Sequence, residues 1–306
     1  MHPNIVVVGS INMDLVFRTP RMPGVGETIS GHEFAQTAGG KGANQAVAAA
    51  RQDAVTTLIA CVGKDSYGQQ SVSALQTDGI ATNFISIVNN VATGVAGIFV
   101  DDQGDNSIVI APGANAQLTP AHIDAAKEVI CNASLLICQC ETPLATVTAA
   151  IQLAFEHNVN VVFNPAPAIS LPDDLLAKIS YLIVNETEAT QLSGINVTDI
   201  ASAQIASARL LARGAACVLL TMGEHGVCVS EKNKSHHLPA AKVNVIDTTA
   251  AGDTFVGAFA VGIGCGLSIL DATNQAQFSA ALAVTRLGAQ SSIPYREEMV
   301  RFMAAY

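Results

Sequence analysis

Short runs of β-branched residues alternate along this chain with alanine-rich stretches of helical length, and few architectures accept that rhythm. Strands are expected at residues 5–8, 57–62, 134–139, 159–164, 181–184 and 217–222. Helices are expected at 42–51, 67–78, 120–133, 144–157, 185–192 and 201–214. The strand runs are apolar at consecutive positions rather than at every second one, as in strands covered on both faces. Strand–helix alternation implies βαβ units and a mostly parallel sheet. Right-handed crossovers then place helices on both faces of it. The expected fold is a three-layer α/β domain spanning residues 1–306.

Two stretches break the rhythm. Residues 15–37 hold Pro20, Pro23, Gly24, Gly26 and Gly31 around short strand-like pieces. Residues 91–110 alternate as a hairpin around the turn Asp101-Asp-Gln-Gly104. Neither has a helix to pair with, so both are read as a small β-sheet lid. An exposed sheet of this kind needs cover, which points to a homodimer formed through the lid.

Half of the 306 residues are hydrophobic and 13% are charged, so a well-buried core is expected. The formal charge of −10 argues against a nucleic acid or an anionic membrane as partner. An anion site in such a chain must generate its positive potential locally. The seven cysteines are odd in number, scattered and mostly within apolar runs, as expected of buried thiols in a reducing compartment. The N-terminal segment runs into Ile5-Val-Val-Val8 with no signal-peptide pattern, and no apolar run reaches membrane-spanning length. A cytoplasmic location is expected.

The densest chemistry lies at Asp247-Thr-Thr-Ala-Ala-Gly-Asp253, just before an apolar helical run that includes Phe255 and Phe259. Small residues let a ligand approach the backbone, and a helix start offers unpaired N–H groups to an anion. Asp253 would place a base beside that cradle, the pairing that phosphoryl transfer to an alcohol requires. Taken alone, the segment is equally compatible with Thr248 or Thr249 capping a helix.

Other polar groups also follow strands, where open α/β sheets bind ligands. Asn12 and Asp14 lie two apart after the first strand and so share one side of an extended chain. An amide and a carboxylate can hold two neighbouring hydroxyls. Ala38-Gly-Gly-Lys-Gly-Ala-Asn44 precedes a helix but lacks P-loop spacing. Glu141 follows the strand around Leu136. Asn185 and Glu188 are three apart at a helix start; they fit a capping box, and could also hold a hydrated magnesium ion. Thr221-Met-Gly-Glu-His-Gly226 is a tight turn suited to nucleotide phosphate and ribose.

With the two glycine-rich segments, together with Gly9-Ser-Ile-Asn12-Met-Asp14, Gly113-Ala-Asn115 and Val284-Thr-Arg-Leu-Gly-Ala-Gln290, the chain resembles the ribokinase (PfkB) family of carbohydrate kinases over essentially its whole length. The resemblance implies ATP-dependent phosphorylation of D-ribose at its 5-hydroxyl. It implies Asp253 as catalytic base, with Ala250, Ala251 and Gly252 completing an anion hole. Asn12, Met13, Asp14, Gly40, Lys41, Gly42, Ala43, Asn44 and Glu141 would hold the sugar. Asn185, Glu188, Thr221, Met222, Gly223, Glu224, His225, Gly226, Gly252 and Gln277 would serve ATP, and Asn185 with Glu188 would orient Mg2+. A monovalent cation, usually K+, would sit near Asp247, Thr249, Ala283, Arg286, Gly288 and Ser292. The family usually has glycine where this chain has Ala250, which puts a left-handed backbone there in question. The same chemistry on 2-deoxyribose, fructose or a nucleoside remains open, as does, more remotely, a sugar sensor without turnover.

Overall fold

The computed structural model describes residues 2–232 and 234–306. Thirteen strands are found among them: β1 Asn4–Val8, β2 Asn12–Thr19, β3 Glu33–Gly39, β4 Val55–Gly63, β5 Ile85–Val88, β6 Gly94–Asp101, β7 Asn106–Ala111, β8 Leu135–Cys138, β9 Asn160–Phe163, β10 Tyr181–Asn185, β11 Cys217–Thr221, β12 Val227–Glu231 and β13 Lys234–Leu238. The α-helices are α1 Lys41–Arg51, α2 Ser66–Thr77, α3 Pro120–Ala125, α4 Lys127–Cys131, α5 Leu144–Glu156, α6 Asp173–Leu176, α7 Glu186–Ser193, α8 Ile200–Ala212, α9 Ala251–Gly264, α10 Ile269–Ala283 and α11 Arg296–Ala305.

Nine strands form one sheet in the order β13-β12-β11-β10-β9-β8-β1-β4-β5. From β11 to β5 every pairing is parallel; β12 and β13 close one edge as an antiparallel hairpin. Successive residues of β1 point to opposite faces. Val6 and Val8 pack into a core shared with Ile123, Val147, Leu175 and Leu210, hence with α3, α5, α6 and α8. Ile5 and Val7 pack into a second core with Ala46, Leu75, Phe255, Phe259 and Ala276, hence with α1, α2, α9 and α10. The sheet is therefore the middle of three layers. Consecutive apolar strand residues are what two-sided burial demands.

Four strands form the second sheet, in the order β3-β2-β6-β7, with a parallel β2–β6 pair at its centre. It takes in the expected hairpin, and Gly104 adopts a positive φ of 86° at the turn. Its first strand begins earlier than expected: Asn12 and Asp14 are themselves residues of β2 rather than of a turn after β1. The 120–133 helix is broken into α3 and α4 at Ala126. Besides β12, α6, α10 and α11, which were not among the expected elements, β5 and β13 went unread for plain reasons. The β13 strand reads Lys-Ser-His-His-Leu because it is an exposed edge, and the four residues of β5 are too few to show a period.

Candidate active site

The strand order changes direction between β1 and β8, since β4 and β5 extend one way from β1 while β9, β10 and β11 extend the other way from β8. Open α/β sheets bind ligands where the order reverses, beyond the carboxyl ends. Here the chain leaving β1 meets the chain leaving β8. Ser10 Oγ donates to Glu141 Oε2 at 2.6 Å, and the Lys41 amide donates to the same oxygen at 3.1 Å. Helix α1 starts at this crossing, directly after β3. Gly42 packs so closely that an added Cβ would lie 2.4 Å from Ser10 N and 2.5 Å from Gly9 C. Main chain cannot step aside, so Gly42→Ala should cost about 1–3 kcal/mol of stability through overpacking. That exceeds the gain in helix propensity of about 1 kcal/mol, and urea unfolding would measure the difference.

Two cavities meet at this point. A cavity of about 580 Å³ lies between the small sheet and the main body, and its lining includes Asn12, Asp14, Gly40, Lys41, Asn44 and Glu141. One of about 210 Å³ lies towards β10 and α7, and its lining includes Asn164, Asn185, Glu188, Thr221 and Gly252. Lys41, Thr248, Ala250 and Asp253 line both. A group passed between a molecule in each cavity would cross at those four residues.

Asp253 sits in the first turn of α9 and is buried. Its Oδ2 accepts from Asn44 Nδ2 and its Oδ1 from Gln45 Nε2, both at 2.9 Å. Thr254 N–H closes the first helical turn onto Ala250 O at 2.8 Å, and Ala251 N–H turns back to Thr248 O at 3.2 Å. The amides of Gly252 and Asp253 precede that first closed turn and are the donors an incoming anion would meet. Ala250 does hold the left-handed backbone, with φ 60° and ψ 8°. An alanine there carries about 1 kcal/mol of strain that glycine would not.

Charge in the site is concentrated. Burial works against the Lys41 ammonium, but Asp253, Glu141, Glu188 and Asp14 together outweigh it and raise its pKa. Burial raises Glu188; its hydrogen bond from the Asn185 amide and the Lys41 charge oppose that only in part. Asp14 is pushed from its ordinary 3.8 up to about 7, by burial first and then by Glu141 and Asp253, with Lys41 opposing. The folded chain thus binds this proton more tightly than the unfolded one. The Asp14 contribution to stability is complete below 3.8 and is lost as pH rises through about 7. Were Asp14 to bind a ligand's hydroxyls as a carboxylate, as the resemblance implies for the sugar, KM for that ligand should rise about tenfold per unit as pH falls below that midpoint, a trend that initial rates over a pH series would check.

Several expected residues line neither cavity. Met13 alternates with Asn12 and Asp14 and so points into the core, and Ala43 is likewise buried. Met222 is buried with Cys228 Sγ 3.9 Å from its sulfur. Gly226 serves the edge hairpin: a Cβ there would lie 2.0 Å from Leu238 O. Gly223, Glu224 and His225 form an exposed 3-10 turn, with the His237 ring nitrogen 2.6 Å from His225 O. Gln277 is buried in α10, and both atoms of its amide lack a partner. Asn185 and Glu188 do form a reciprocal capping box, with Glu188 Oε2 also 3.5 Å from Asn164 Nδ2. Asp247 Oδ1 accepts from Thr249 Oγ1 at 2.6 Å, and its Oδ2 accepts from Gly288 N at 2.9 Å. Burial would raise Asp247, but these donors, the Thr249 amide and Arg18 together lower it. The Arg286 guanidinium is paired with Glu298 at 2.7 Å, so only its main-chain oxygen can face a cation. Ser292 Oγ donates to Ala289 O at 2.8 Å, and Ala283 is buried.

The supporting residues Gln45, Gln139 and Asn164 had no sequence signal as site residues, and Ser10 and Asn115 appeared only within motifs that carry the resemblance. Asn115 Nδ2 donates to Asn12 Oδ1 at 2.8 Å and so fixes the Asn12 amide. Only the Gly113-Ala-Asn115 motif pointed towards it.

Residues 2–296 match the pfkB family carbohydrate kinase description. The chain belongs to the pfkB family of carbohydrate kinases. It is 43% identical to the ribokinase of Haemophilus influenzae, over 99% of both chains. It is 36% identical to the deoxyribokinase of Salmonella typhi, over 98% of this chain and 99% of that one. The structure of Arabidopsis thaliana ribokinase complexed with ribose and ATP superposes with a TM-score of 0.93, at 32% identity and 99% coverage of each chain. The two cavities meeting at Asp253 are thus those of a pfkB-family kinase.

Proposed function

We propose that this protein is an ATP-dependent ribokinase, passing the γ-phosphoryl group of ATP to the 5-hydroxyl of D-ribose. The observation that carries this reading is the meeting of two cavities at Lys41, Thr248, Ala250 and Asp253. Ribose takes the larger cavity, between Asn12 and Asp14 of the small sheet and Gly40, Lys41 and Asn44 at the start of α1. Asn44 Oδ1 is buried and has no partner, so it can accept a sugar hydroxyl. The sugar's 5-oxygen attacks the γ-phosphorus, the bond to the β-phosphate oxygen breaks, and Asp253 takes the hydroxyl proton. The amides of Gly252 and Asp253 and the Lys41 ammonium stabilise charge on the moving phosphoryl. The small sheet acts as a lid that excludes water while ribose is bound.

ATP phosphates occupy the smaller cavity beside Asn185, Glu188 and Thr221. Gln277, expected beside the adenine, lies buried in α10 outside both cavities with its amide unpaired. No cluster of three His, Cys, Asp or Glu side chains that could hold a metal occurs among the described residues. Mg2+ would therefore arrive on the ATP phosphates, with Glu188 ordering its waters, and would neutralise phosphate charge. Asp247, the hydroxyls of Thr249 and Ser292 and the main-chain oxygens of Ala283, Arg286 and Gly288 would supply only oxygen donors, which suits K+.

The small sheet exposes Phe34 at 50% and Val109 at 70%, which supports a homodimer paired through the lid. None of the described helices is long and apolar enough to cross a membrane; the location proposed is the cytoplasm. The Salmonella relative keeps 2-deoxyribose in view as acceptor, but Asn12 beside Asp14 favours vicinal hydroxyls. The deciding measurement is coupled ADP release with ribose, 2-deoxyribose, fructose and a nucleoside, each with and without K+. Preference for any acceptor over ribose overturns the assignment.

A further inference from the structure

Gln45 touches Asp253 yet lines neither cavity. It is 0% exposed, on the inner side of α1. Its Nε2 donates to Asp253 Oδ1 at 2.9 Å and to Asn164 Oδ1 at 3.2 Å. Its Oε1 accepts from Gln139 Nε2 at 2.7 Å. The other end of Asn164 is engaged in the matching sense: its Nδ2 donates to Ile183 O at 3.0 Å and approaches Glu188 Oε2 at 3.5 Å. Reversing the Gln45 amide would set its oxygen against a carboxylate oxygen, an amide oxygen and nothing that donates. With Asp253 ionised, the amide has one orientation.

This arrangement is costly unless it has a use. Gln139 Oε1 is buried without a partner, and it lies 2.2 Å from where a Cβ on Gly9 would stand. Leaving a buried carbonyl unpaired costs stability. The chain accepts that cost, and the return is a donor fixed on the oxygen of the catalytic aspartate.

We propose that Gln45 is a positioning residue for phosphoryl transfer, holding Asp253 ionised and aimed at the sugar hydroxyl, with Gln139 and Asn164 locking its amide. The inference rests on the kinase reading above. Asp253 stands among groups from every side: Asp14 of β2, Glu141 after β8, Glu188 of α7 and the single ammonium of Lys41. Fixed neutral donors bind the charged form of a carboxylate without adding another charge to the cluster.

Gln45→Met keeps the volume and removes the donor. With ribose and ATP saturating, the acid limb of the kcat–pH profile should move up by about one pH unit, the size expected for one lost hydrogen bond to a charge. The plateau at high pH should fall less than tenfold. Gln139→Met, which frees the Gln45 amide to rotate, should move the limb the same way by less. Ribose affinity, measured by calorimetry, should change little, because Gln45 does not touch the sugar cavity. A lowered plateau with an unmoved limb in a folded variant makes Gln45 merely structural and overturns the proposal. So does failure of both variants to fold. Wild type inactive on ribose would instead sink the kinase reading, so the two failures are distinguishable.

Discussion

Asp253→Asn should lower kcat by about 10²- to 10⁴-fold, the usual worth of a positioned general base. The change removes the proton acceptor and leaves the cavity shape intact. It also sets an amide NH2 against one of two donors, Asn44 Nδ2 or Gln45 Nε2, both 2.9 Å from the present oxygens. A donor facing a donor in a buried site costs about 1–3 kcal/mol, so thermal stability should fall along with activity. The two losses separate cleanly, since ribose affinity at neutral pH should stay within tenfold while kcat collapses. A variant with near-normal kcat would remove Asp253 from the chemistry and leave the meeting of the cavities without a function.

Lys41→Met should be the next most damaging change. The stem of the residue is conserved in length, so packing survives. The ammonium faces Asp253, Glu141, Glu188 and Asp14 together. Without it those carboxylates hold one another's charge uncompensated, and the transferring phosphoryl loses a cation. We expect kcat/KM to fall by about 10²- to 10³-fold, as for loss of one electrostatic donor in a preorganised site. The acid limb of the profile should also move to higher pH, because Lys41 opposes the rise of the Asp14 pKa. A profile within threefold of wild type at every pH would show that the lysine serves α1 and not the reaction.

Much of this architecture was legible in the sequence because two-sided burial leaves a plain mark. Ile5-Val-Val-Val8 is apolar at every position since β1 has a core on each face. The mark fades where burial does. Exposed β13 is polar at all but Leu238, and β2 was read as beginning at residue 15 although its first residues include Asn12 and Asp14, polar and buried in the site. At the site, small residues and charges announced themselves: Gly40, Lys41, Ala250 and Asp253 all line a cavity. Gln45 did not, because one polar residue in an alanine-rich helix carries no hint of which neighbour it meets. Gly226 misled for a related reason: a glycine required by the close approach of Leu238 O looks the same in sequence as one required by a ligand.

From the order of residues alone came the layers, the lid strands and the residue types able to bind a sugar and move a phosphoryl, since local periodicity and backbone chemistry are written in neighbouring positions. Folding alone decided that Asp253 meets Asn44 and Gln45, more than 200 positions earlier in the chain, and that four carboxylates share one lysine. Contacts of that span depend on how helices α1 and α9 pack on a common sheet face, and packing is a property of the assembled core rather than of any segment within it.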